Sequence, residues 1–240
     1  ERVHTWTDPI DLYVHPKTVV LDGATAGYMR DIEGLPTRDL SSDDVSFHAM
    51  REYVPGDDMR HIHWRSTART GTVMVRQFEE TRRSHTVVAL TRNSGDYATP
   101  DEFELAVSVA GSLGLQALRD ARNLTVLVQG SIVTAATSKQ FLDTLSGLAH
   151  SRPRQGGVVE LAAEVGRSAK TASVVALVCG SSVTAQQMRD ASRHLPFEAR
   201  SIAVVCAPGT APSLRVLGDM SVLTIGELSD LRGALGRVLS

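Results

Sequence analysis

The chain has 240 residues, 42% hydrophobic and 22% charged, with a formal net charge of −2. That balance excludes an electrostatic nucleic-acid binder and suits a soluble globular protein with one sizeable core, or one core and a small satellite. No apolar run reaches the roughly 18 residues a membrane-spanning helix needs, no signal peptide is visible, and Cys179 and Cys206 lie inside apolar runs, the pattern of buried thiols in strands of a cytosolic protein.

The first part, residues 1–84, is punctuated by Pro and Gly and rich in β signals. Ile10, Leu12 and Val14 alternate with Asp11, Tyr13 and His15, which predicts a short strand ended by Pro16. Val19 to Leu21 predicts another extended piece. Residues 22–44 carry Gly, Asp, Thr and Ser without a period and predict a long loop. Strands are predicted over 45–54 and 72–78, the latter from the alternation of Val73, Val75 and Gln77 with Met74, Arg76 and Phe78.

From His85 the grammar changes. Thr86–Leu90 is an apolar run of the kind that forms a buried parallel strand. Thr99-Pro100-Asp101-Glu102 predicts a helix start, with an N-cap, Pro at the first position and acids in the first turn. Phe103, Val107, Ala110, Leu113 and Ala117 continue it at helical spacing, and Gly111 and Gly114 permit close packing. Further strands are predicted at 124–128, 132–133, 173–179, 199–206 and 221–225. Helices are predicted from Ser138, over 158–169 and 184–194, and from Glu227 to Leu239. Strands alternating with helices predict a doubly wound, mostly parallel α/β sheet over 85–240.

The most specific stretch runs from Arg51 to Glu79. Arg51-Glu52-Tyr53-Val54-Pro55-Gly56-Asp57-Asp58-Met59-Arg60 leads into His61-Ile62-His63-Trp64-Arg65, then Ala68-Arg69-Thr70-Gly71 and Val75-Arg76-Gln77-Phe78-Glu79. Pro55-Gly56 is a turn signal, and the arginines offer forks that pair with carboxylates at two points. The pattern resembles the signature of a bacterial family catalogued as domain of unknown function 58. The resemblance implies a von Willebrand A-like α/β domain behind a β-rich N-terminal addition. It implies a MoxR-type AAA+ ATPase as partner. It also implies two membrane helices ahead of such a region, so that this chain is a soluble piece of a protein anchored at the cytoplasmic face of a bacterial membrane.

Three chemistries compete for these residues. Von Willebrand A domains hold a metal ion after the first strand through Asp-x-Ser-x-Ser, and a second aspartate follows a later strand. The matching positions are Thr91, Asn93 and Gly95, and then Gly180. Both acidic positions lack a carboxylate, with Asp96 as a possible substitute. His61 and His63, with Asp57 and Asp58, suggest a zinc site or a metal-dependent hydrolase if they lie on one strand face. The third reading is a charge network in which Asp57 and Asp58 accept from Arg60, Arg69 or turn amides. His63 joins it, while Ile62 and Trp64 pin the element to the core. Gly180-Ser181-Ser182 and Pro208-Gly209-Thr210 could present amides to an anion, but neither matches a nucleotide-binding loop. The expected function is a non-catalytic protein-interaction module without cofactor. Its signature network comprises Arg51, Glu52, Tyr53, Asp57, Asp58, Arg60, His63, Trp64, Arg69 and Arg76. The alternatives are the hydrolase and a structural scaffold.

Overall fold

A computed structural model describes residues 12–21, 45–80, 85–120, 122–133, 137–151 and 156–238. They divide into two bodies. Residues 45–80 form one; residues 12–21 and the described residues from 85 to 238 form the other.

The smaller body is a two-stranded antiparallel ribbon with a helical excursion. Strand β1 (Val45–Glu52) pairs with β2 (Met74–Glu80), placing Glu52 opposite Met74, Arg51 opposite Val75 and Met50 opposite Arg76. Between them come a turn at Gly56 (φ 112°), a 3-10 turn (Met59–His61) and helix α1 (Trp64–Thr70). Gly71, at φ 77°, ends α1 in the left-handed conformation that suits glycine at a helix terminus. So short a helix is marginal alone. It is tied to β2 by the Met74 amide, which donates to Thr67 Oγ1 at 2.9 Å, and by the His63 amide, which donates to the Met74 carbonyl at 2.8 Å.

The larger body is built on seven strands: β3 (His85–Leu90), β4 (Asn123–Val128), β5 (Ser131–Val133), β6 (Val174–Gly180), β7 (Arg200–Cys206), β8 (Ser213–Leu217) and β9 (Met220–Ile225). Their order is β5-β4-β3-β6-β7-β9-β8. The five central strands are parallel, and the two edge strands are antiparallel to their neighbours. The helices are α2 (Pro100–Arg119), α3 (Ser138–Ser146), α4 (Val158–Ser168), α5 (Ala185–Ser192) and α6 (Asp230–Arg237). This is the doubly wound, mostly parallel sheet expected of Rossmann and von Willebrand A-like folds.

Alternate strand residues sort onto two cores. Val88, Leu90, Val126, Val174, Ala176, Val178 and Leu223 pack under α2, α3 and α6. Val87, Ala89, Leu127, Val175, Leu177 and Ala203 pack under α4 and α5. A strand covered on both faces reads as an unbroken apolar run, and each fully buried Leu or Val contributes about 1.5–3 kcal/mol.

Residues 12–21 form no strand, although the alternation predicts one over 10–14; Ile10 lies outside the described residues. Leu12 and Val14 are exposed, and their alternation meets no partner strand among the described residues. The segment is held by side chains instead. His15 Nε2 lies 2.6 Å from Asp143 Oδ1, the Val19 amide donates to Ser112 Oγ at 3.1 Å, and Leu21 is fully buried beside α2 and α3. Residues 12–21 are grouped with the larger body. The expected loop over 22–44 lies outside the described residues. Strand β8 is not predicted from the sequence. It pairs with β9 across Gly218 (φ 62°) and Asp219, a two-residue hairpin whose first position favours glycine.

Cys179 and Cys206 are both free and buried on neighbouring strands, but on opposite faces: Cys179 under α4 and α5, Cys206 under α2 and α6. Burial pushes both thiols up. Among the described residues no helix is long and apolar enough to cross a membrane.

Two helical glycines are fixed by close packing. A Cβ on Gly114 would run into the Phe141 ring, and one on Gly166 would run into the His194 carbonyl oxygen. Gly→Ala inside a helix ordinarily stabilises by about 1 kcal/mol. At Gly166 the contact is rigid backbone, so the sign should reverse. Gly166→Ala is expected to destabilise by about 1–3 kcal/mol in chemical denaturation; an unchanged or raised midpoint would show that α4 can move away from His194 at no cost.

Candidate functional site

The chain leaves β3 for β4 on one side, then crosses to β6 on the other. Open α/β sheets place ligand crevices at such a reversal, beyond the carboxyl ends of the strands. Thr91 follows β3, Gln129 follows β4 and Ser181 follows β6.

Asn93 shapes the first loop, its Oδ1 accepting from the Gly95 amide at 2.8 Å and so turning the chain through Ser94–Asp96. Asp96 is thereby buried, 3% exposed. Its carboxylate accepts from Thr91 Oγ1 at 2.5 Å and from the amide of Val158, the first residue of α4. Burial pushes its pKa up and the nearby Glu160 charge adds to that, while the two hydrogen bonds oppose them. Gln129 Nε2 donates to Thr91 Oγ1 at 2.9 Å and to the Gly156 carbonyl at 3.3 Å, and its Oε1 accepts from the Arg92 amide.

Glu102, in the first turn of α2, is 4% exposed. It accepts from the amides of Ala98 (2.9 Å) and Ser181 (3.0 Å) and from Ser181 Oγ (2.6 Å). Between the two acids stands Tyr97. Its hydroxyl donates to the Thr91 carbonyl at 2.6 Å, and its ring meets Phe103 edge-on at 5.3 Å. A Cβ on Gly180 would run into the Tyr97 ring and sit 2.6 Å from Glu102 Oε2.

These residues do not fit a divalent cation of the adhesion type. The expected positions offer one hydroxyl at Thr91, one amide at Asn93 already used on Gly95, and no side chain at Gly95 or Gly180. Asp96, the possible substitute, already holds Thr91 and the Val158 amide. A hard cation needs charged oxygen ligands, and among the described residues no three His, Cys, Asp or Glu side chains converge. An anion fits no better at Gly180–Ser182, because Glu102 takes the Ser181 amide. Thr210 turns onto Ala207, its hydroxyl donating to that carbonyl at 2.7 Å.

In the smaller body the expected network resolves into local pairs. Arg51 grips Asp57 at two points, both 2.7 Å, and the Val54 amide donates to Asp57 Oδ2 at 2.9 Å. The Arg51 guanidinium lowers the Asp57 carboxyl from 3.8 to about 2. Asp58 caps the 3-10 turn by accepting from the Arg60 amide at 2.9 Å, with Arg60 Nε at 3.6 Å. Of the expected partners of Asp57 and Asp58, the turn amides of Val54 and Arg60 and the Arg60 side chain are present, Arg69 is not, and the bidentate partner of Asp57 is Arg51. Arg69 and Arg76 are exposed and make no ion pair among the described residues. Glu52 is exposed at the end of β1, and the Tyr53 amide donates to the Val73 carbonyl at 2.8 Å.

The two histidines do not share a strand face. His61 ends the 3-10 turn, whereas His63 caps α1, its Nδ1 accepting from the Ser66 amide at 3.2 Å. That bond places the proton of the neutral ring on Nε2. Trp64 is not a core anchor: it is 68% exposed, because the segment is a helix whose inner face carries Ser66 and Thr67. Sequence reasoning missed Gln129, Tyr97 and the site role of Glu102, and read Ser181 as an amide for an anion where it donates to Glu102. The available signal was position, since Gln129 and Ser181 directly follow central strands.

A family model described as "Protein of unknown function DUF58" matches residues 49–222. No curated protein and no solved structure matches the chain.

The two aspartates should respond to pH with opposite signs. Asp57 is lowered in the fold, so its stabilisation is complete above the ordinary carboxylate range and disappears as pH falls from about 4 to about 2. Carboxyl NMR titration is expected to place its midpoint near 2, with Arg51→Gln returning it to the ordinary range; an ordinary midpoint in the wild type would contradict the pairing. Asp96 is raised, so its charge costs stability increasingly as pH climbs through the folded pKa. The melting temperature of Asp96→Asn relative to wild type is therefore expected to rise as pH climbs above the ordinary carboxylate range. A constant difference would show that Asp96 titrates alike in both states.

Proposed function

The chain belongs to the DUF58 family of proteins of unknown function, and on that basis we propose that it is a non-catalytic protein-interaction module, the adaptor of a MoxR-type AAA+ ATPase at the cytoplasmic face of a bacterial membrane. One observation carries the non-catalytic part. Chemistry at a switch point needs a group that can offer a lone pair or proton to a substrate. Here Asp96 turns inward to Thr91 and Val158 and Glu102 to Ala98 and Ser181, while the exposed Glu160 beside them accepts from the Gly157 amide.

The polar groups of the smaller body that could serve a hydrolase are similarly engaged. Both Asp57 oxygens face Arg51, and His63 Nδ1 faces the Ser66 amide. What that body offers outward is surface, with Met59 71% and Trp64 68% exposed. The choice of a MoxR-type ATPase, and a role in assembling or maturing envelope proteins, rests on family resemblance.

The test is capture of the purified ATPase by the immobilised full chain, with ATP, with ADP and without nucleotide. Retention that depends on nucleotide is expected. Absence of retention in every state, or turnover of peptide or phosphoester substrates by the chain alone, would overturn the proposal.

A further inference from the structure

The outer face of α1 is made of two neighbouring rows. Trp64 and Ala68 form one, Arg65 and Arg69 the other, since residues four apart on a helix stack on one face. All four are exposed, while Ser66 and Thr67 on the inner side are half-buried. Just upstream, the 3-10 turn adds exposed Met59 and Arg60, whose side chain is 90% exposed.

Two acids of this body are already committed, while Glu52 is exposed at the end of β1. Asp57 is held by Arg51 and Asp58 lies by Arg60, while Arg65 and Arg69 make no ion pair among the described residues. Residues 51–79 contain no lysine; every basic side chain there other than histidine is arginine.

We infer that this face recognises an acidic protein segment, with carboxylates gripped by Arg65 and Arg69 and an apolar side chain seated over Trp64 and Ala68. The inference rests on the interaction-module reading and names the chemistry of its partner. Guanidinium forks match carboxylates at two points, where lysine gives only a point charge. Tryptophan and arginine carry much of the energy in protein interfaces, and Ala68, four residues on in the same row, adds little bulk. Guanidinium grips phosphate as well as carboxylate, but nucleic acid and anionic lipid call for a broad positive field. A chain of net charge −2 has no such surplus.

The test uses the full chain and labelled peptides of equal length: a leucine flanked by glutamates, and the same peptide with glutamines. Phosphatidylglycerol vesicles and a single-stranded DNA oligonucleotide serve as competitors. Binding to the acidic peptide is expected to exceed the glutamine peptide about tenfold or more. It should fall about tenfold in Trp64→Ala and in the double variant Arg65→Gln/Arg69→Gln. Thermal melting should stay unchanged, and Arg215→Gln, on β8, should bind as wild type. Equal binding of both peptides, wild-type binding by the variants, or displacement by vesicles or DNA overturns the inference. The ATPase capture separates the two readings. Undiminished capture by the double variant removes this surface and leaves the adaptor role standing; acidic selectivity without ATPase capture in any nucleotide state does the reverse.

Discussion

A carboxylate taken out of water without a cation must be solvated by the protein itself, or its charge costs several kcal/mol. Asp96 and Glu102 both face that demand at the carboxyl end of the parallel sheet. Neither has a cationic partner among the described residues; amides and hydroxyls do the solvating. The donors come from different connections. Thr91 lies in the loop after β3, Ser181 in the loop after β6, and Val158 at the start of α4. Satisfying two acids therefore fixes three loops. It also dictates small residues around them: a Cβ on Gly157 would lie 3.0 Å from Asp96 Oδ1, and one on Gly180 2.6 Å from Glu102 Oε2. Tyr97, itself buried, lies with its ring against Gly180.

The two bodies use charge in opposite ways. In the sheet body Asp96 and Glu102 are buried and answered by neutral donors. In the ribbon Asp57 and Asp58 stay near the surface beside arginines and brace a turn. Asp57 links Arg51 on β1 to the Val54 amide, closing the turn that starts the helical excursion. A surface pair of this kind adds modest stability, but it sets where α1 begins and hence which side chains face outward.

The sheet was legible because its central strands are covered on both faces, which leaves Val174 to Cys179 and Ile202 to Val205 almost wholly apolar. Thr99-Pro100 was legible because helix caps are local chemistry. β8 was not, since Arg215 and Val216 lie on an exposed edge and carry no buried run; only Gly218-Asp219 hinted at a hairpin. The signature was recognisable as a string, but its pairings were not. A sequence gives the charges of Asp57, Arg51 and Arg69 without direction, and the turn at Gly56 is what carries Asp57 back to Arg51. Trp64 was misplaced for a related reason: as part of an extended segment it would face the core with Ile62, whereas on a helix it shares a row with Ala68. Gln129 and Glu102 look like ordinary solvated polar residues until the strand order brings their loops together.

Cys179 and Cys206 stand back to back across the middle of the sheet, on adjacent strands and on opposite faces. They cannot bridge each other while the strands remain paired, and a reagent in solution meets neither. One thiol becomes reachable when the layer of α4 and α5 lifts, the other when the layer of α2 and α6 lifts. The pair is thus a two-channel clock for dismantling. If a motor pulls on this domain, the order in which the sulfurs become alkylated records which side of the sheet was stripped first.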